Sequence, residues 1–184
     1  MYSLRTICTA AVVLLVSVVV NAAPFPMPHV SAHHVKPGGV FMAKPVHFDP
    51  PLPGHSTTTG ARNHPVIALD HPDHNGYVPV AVVSHNHPEH MAQEVHDAHH
   101  YHAHTEHAGI GAFNHGSKIA VGHVTYVHHE DMHHVSPDSN LPHQLHHSDL
   151  ANLHAAVNQA TGFVPSNAKH RTPSPKTPPW RKEN

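Results

Sequence analysis

The sequence predicts a mostly intrinsically disordered, low-complexity His/Pro-rich chain, with one or two short helices, a few weak β-strands and no substantial core. Three observations carry that expectation. Histidine supplies 28 of the 184 residues and proline 19. Charged residues are 12% of the chain and aromatics 5%, with a formal net charge of −2 when the imidazoles are neutral. Once residues 1–22 are set aside, Leu, Ile, Val and Phe number 30 of the remaining 162 residues, under the roughly 20% expected of chains that fold around a core. On that arithmetic too little apolar surface remains to offset the entropy of ordering the chain.

Residues 1–22 read as a secretory signal peptide. Arg5 supplies a positive start, Ala10 to Val20 an apolar run, and Val20-Asn21-Ala22 a small-residue cleavage site. The run is short of the ~20 residues of a spanning helix, and no later stretch offers a transmembrane segment. Cleavage removes Cys8, the only cysteine. The secreted chain then has no disulfide, thiolate ligand or cysteine nucleophile.

Residues 23–63 carry eight prolines from Pro24 to Pro53. Each proline restricts itself and its predecessor, so extended, solvated chain is expected here. Residues 64–135 hold a degenerate repeat. Pro65-Val66-Ile67-Ala68-Leu69 precedes His71-Pro72-Asp73-His74, and Pro79-Val80-Ala81-Val82-Val83 precedes His87-Pro88-Glu89-His90. A third apolar run, Ile119 to Val127, leads into His128-His129-Glu130-Asp131-Met132-His133-His134. The Val/Ile runs suit short strands, with Pro79 at an edge or a strand start.

Within this region, residues 85–107 contain nine histidines. Met91, Val95 and Ala98 recur at helical spacing, and His96, His100 and His104 follow at i, i+4. That pattern predicts a helix over Glu89–His107 with a histidine stripe. Residues 136–163 predict a short amphipathic helix, Ser148 to Thr161. Ser148 or Asp149 would serve as N-cap, Leu150, Leu153 and Val157 as the stripe, and Gly162 as the stop. Residues 164–184 read as a Pro-rich, basic, disordered tail.

The chemistry lies in the imidazoles. A neutral imidazole is the commonest ligand for zinc or copper, and zinc takes about four ligands. Candidate ligands are His71, His74, His87 and His90 of the two tetrads. To these are added His96, His99, His100, His102, His104 and His107 of the dense region, and His128, His129, His133 and His134 of the last cluster. Glu94, Asp97, Glu106, Glu130 and Asp131 add charge compensation. Ligation needs deprotonated rings, so binding is expected to weaken as pH falls through about 6.5 to 5.5.

His129-Glu130-Asp131-Met132-His133 matches the His-Glu-x-x-His spacing of zinc proteases. The enzyme reading is rejected. Such a pattern arises by chance at this histidine density, Pro137 cuts off the helix it needs, and a chain without a core holds no dry cleft. Scattered Lys and Arg give no nucleic-acid surface. The expected protein is a secreted, pH-dependent binder of zinc or copper, buffering or sequestering metal in defence. It needs no cofactor beyond those ions, and its partners are the ions themselves and further copies bridged by metal. Two alternatives stand beside it: an extracellular-matrix or cuticle-type protein crosslinked through histidine, and a pH-activated antimicrobial polypeptide.

Overall fold

The computed structural model describes residues 29–51, 63–85, 94–103 and 111–166. Residues 1–28, which include the expected signal peptide, residues 52–62, the segment of the second tetrad with His87 and His90, residues 104–110 and the tail after Ser166 lie outside those residues. Among the described residues the chain forms a seven-stranded antiparallel sheet, which overturns the expectation of a mostly disordered chain without a core.

The strands are β1 (Val40–Ala43), β2 (His64–Ala68), β3 (Tyr77–Ser84), β4 (Val95–Asp97), β5 (Lys118–Ala120), β6 (Thr125–His128) and β7 (Met132–His134). Their order is β4-β5-β3-β2-β1-β7, and β6 also pairs with β3. The apolar runs at 65–69, 79–83 and 119–127 supply β2, β3, β5 and β6. Pro79 lies inside β3, not at an edge or a start. Its carbonyl accepts the Leu69 N–H at 2.8 Å, the ladder role that proline retains.

The first tetrad is a turn-builder. Asp73 Oδ1 accepts the N–H groups of Asn75 at 2.8 Å and Tyr77 at 2.9 Å. Gly76 closes the turn at φ 83°, in the left-handed region that glycine enters without penalty. A Cβ there would stand 2.6 Å from His128 Nε2.

Why a core exists is visible in the strand parity. Val40, Ile67, Leu69, Ala81, Val83 and Ile119 share one buried cluster, while Phe41, Val66, Ala68, Val78, Val80 and Val82 share another. Odd and even positions of a strand point to opposite faces, so the sheet is covered on both. The register agrees: Val40 faces Ile67 and Phe41 faces Val66, each pair within one cluster. All eight residues of β3 are buried. An average over the chain understates the core. The aliphatic residues are concentrated in a few short strands buried on both faces, where nearly every one counts.

One face is covered by the helix α1 (His147–Thr161), whose Leu153 and Val157 are fully buried. Its N-cap is His146 instead of Ser148 or Asp149, and Gly162 at φ 74° ends it. The other face is covered by Val30, Val35 and Phe48. Within the expected solvated segment 23–63, residues 29–51 therefore supply a strand and core side chains. The helix expected over Glu89–His107 is replaced, in its described part, by β4 and a 3-10 turn, Ala98–His100. Pairing with β5, where Asp97 faces Lys118, outweighs the weak helix preference of histidine.

Histidine also builds the fold. His129 Nδ1 lies 2.8 Å from the Val30 carbonyl, His154 Nε2 2.7 Å from the Leu69 carbonyl and His71 Nδ1 3.2 Å from the Val35 carbonyl. His29 Nδ1 bonds the Glu130 carbonyl. A neutral ring donates one N–H, so these imidazoles tie distant segments and satisfy carbonyls that a partly buried chain must pair.

Candidate metal centre

At one end of the sheet β4 delivers Asp97 directly into the 3-10 turn Ala98–His100. Two buried residues root the turn. Ala98 donates its N–H to the Ser117 carbonyl at 2.8 Å, and Tyr101 donates to the Ala98 carbonyl at 3.0 Å. The Tyr101 hydroxyl lies 2.8 Å from His96 Nδ1; burial, and then Asp149, push its pKa up. Asp97 occupies the N-cap position but makes no capping bond, which leaves its carboxylate to Lys118.

His99 and His100 follow, both exposed, with ring centroids 4.0 Å apart. One ligand atom from each of Asp97, His99 and His100 lies within 4.8 Å of the others. Among the described residues, this is the group of three ligand-type side chains that meets that spacing. His115 stacks on His99 with centroids 6.4 Å apart. Lys118 forms an ion pair with Asp97 across the strands. That hydrogen bond, opposed by desolvation and supported by the charges of Lys118, His99 and His100, holds the Asp97 carboxyl below its usual value. The group is thus an ionised carboxylate beside two imidazoles, a mixed oxygen and nitrogen donor set that suits zinc.

The other candidate ligands are dispersed. His71 and His74 flank the turn, whose acid is spent on backbone N–H groups. His96 bonds Tyr101, and His102 binds Asp149 through its backbone N–H at 2.7 Å and Nδ1 at 3.0 Å. Burial alone would raise the Asp149 carboxyl, but the His102 amide and imidazole outweigh it and hold the carboxyl below its ordinary value. His104 and His107 lie outside the described residues, as do His87 and His90. The expected stripe His96/His100/His104 does not form in its described part, because His96 stands on a strand and His100 on a turn.

The last cluster also divides. His128 packs edge-on against Tyr77 at 5.4 Å and caps a short 3-10 turn, His129–Asp131. His129 bonds the Val30 carbonyl, while His133 on β7 faces His29 with centroids 5.7 Å apart. His129 and His133 thus do not share the helical face that zinc-protease ligation uses. The His134 ring lies tilted against those of Phe41 and His34. Desolvation, then His34 and His143, hold its imidazole below the ordinary value. Sequence reasoning gave Asp97 only a supporting role and passed over His33, His34 and His115. The signal for the first two is a repeated tripeptide, Ala-His-His at 32–34 and 98–100.

Among the described residues no helix is long and apolar enough to cross a membrane. Comparison with models of protein families, with curated proteins and with solved structures finds no match.

Proposed function

We propose that this chain is a secreted binder of divalent transition metals, zinc or copper, which buffers or sequesters the ion and releases it in acid. The observation that supports the reading is the convergence of Asp97, His99 and His100 within 4.8 Å on one rooted turn. A carboxylate and two imidazoles supply three of the about four ligands that zinc takes; His115 or water completes the set. Because ligands held on a turn rooted in the sheet lose less conformational freedom than ligands on a flexible chain, this group binds first. The remaining imidazoles act as a weaker reservoir. Protons compete for the same nitrogens, so acid empties the site.

Zinc and copper titration calorimetry of the full chain at pH 7.4 tests this. Replacing His99 and His100 with Ala is expected to remove the tightest binding event. Asp97→Asn is expected to weaken it by about tenfold or more, as loss of an orienting or ligating group does. Replacing the exposed His74 and His147 with Ala leaves it in place. Equal losses from the 99/100 and 74/147 variants contradict an organised centre.

A further inference from the structure

The tripeptide Ala-His-His occurs at 32–34 as well as at 98–100, and both copies fold the same way. Each is a 3-10 turn with extended residues on both sides. Each is anchored by a buried residue that follows it, Val35 or Tyr101, whose N–H closes back on the alanine carbonyl at 3.2 Å or 3.0 Å. In each the two exposed imidazoles have centroids 4.0 Å apart, tilted by 55° in the first copy and 52° in the second. The second copy is the imidazole pair of the candidate centre.

We propose that the first copy is a second divalent-metal site, with His33 and His34 supplying two nitrogens and His134 the third. The proposal rests on the metal-binding reading above. The sheet brings the third ring in: β7 pairs with β1 so that His134 faces Phe41. The His134 ring centroid is 5.8 Å from that of Phe41 and 6.2 Å from that of His34. With zinc–nitrogen bonds of about 2.0–2.1 Å, two imidazole centroids in a tetrahedral site stand about 5 Å apart. Reaching that separation takes about 1 Å of movement by exposed rings in each pair: His34 and His134 close from 6.2 Å, and His33 and His34 open from 4.0 Å.

Ser31 stands where Asp97 stands in the other copy. Its hydroxyl lies 2.6 Å from His33 Nδ1. Accepting from Nδ1–H, it orients the ring and leaves the Nε2 lone pair for the metal, the arrangement in which an outer hydrogen bond sets the ligating tautomer. One site thus offers a carboxylate and imidazoles and the other imidazoles alone, a donor set suited to zinc and copper.

The test is imidazole nitrogen NMR of the full chain, titrated with zinc chloride at pH 7.4. Three proteins are compared: wild type, His33→Gln with His34→Gln, and His99→Gln with His100→Gln. In the 99/100 variant the signals of His33, His34 and His134 are expected to move together with one midpoint. In the 33/34 variant the His134 response is expected to be lost or its midpoint raised more than about tenfold, with His99 and His100 responding as in wild type. If His134 responds equally in wild type and the 33/34 variant, this site is overturned. If His99 and His100 respond and His134 does not, this site falls and the metal reading stands; if neither group responds in wild type, both fall.

Discussion

At the residue scale, this chain uses histidine in two ways. Some rings are open donors, as at His99 and His100, and others are internal tethers. His154 shows the second use. Its Nε2 reaches the Leu69 carbonyl at 2.7 Å from a half-buried position on α1. Burial, opposed by the Leu69 bond and Asp70, holds its imidazole below the ordinary value. A histidine whose folded pKa is lowered binds its proton more readily when unfolded. Stability linked to it is complete above the unfolded value near 6.5 and is lost as pH falls from there toward the folded value. His154→Gln keeps an N–H for the carbonyl and removes the titration. Urea unfolding at pH 7.5 and 5.5 is expected to show a smaller acid loss in this variant than in wild type. An unchanged difference would place the acid sensitivity in other groups.

At the scale of elements, the helix α1 is held by two side chains more than by its own propensity. Leu153 and Val157 are both fully buried, and the helix is bound at its start by Asp149, which clamps His102. Leu153→Ala is expected to cost about 2–5 kcal/mol, the range for truncating a buried leucine. The exposed Asn152→Ala is expected to change stability by less than about 0.5 kcal/mol. Chemical denaturation of the two variants separates a packed helix from a solvated one. This element was legible in the sequence, because the stripe Leu150, Leu153, Val157 and the stop at Gly162 are local signals. The Val/Ile runs that became strands were legible for the same reason. The cap was not: His146 accepts from the Ser148 N–H, a role in which histidine is not among the preferred residues. β4 was read as helix because helical spacing of Val95 and Ala98 says nothing of Lys118, which pairs with Asp97 from a segment far along the chain. Of the candidate metal centre, His99 and His100 were legible from density alone. Asp97 as their partner depends on that same pairing.

At the scale of the whole molecule, apolar content was the misleading quantity. What decides folding is where the aliphatic residues fall, and here they alternate between two buried clusters on opposite faces of one sheet. Imidazoles then complete the carbonyls at its margins, so the residues that bias the composition toward disorder are partly the residues that tie the fold. The candidate metal centre is placed by the same sheet, since Asp97 ends β4 where it pairs with Lys118 of β5 and the turn of His99 and His100 follows directly. The histidines of the described residues thus stand on a folded chain that needs no metal to form. Differential scanning calorimetry of the metal-free full chain at pH 7.4 measures this directly. One cooperative transition is expected, with calorimetric and van't Hoff enthalpies in agreement and a heat-capacity rise of about 12–15 cal/mol/K per folded residue. A featureless trace with no transition and no heat-capacity step would contradict the account.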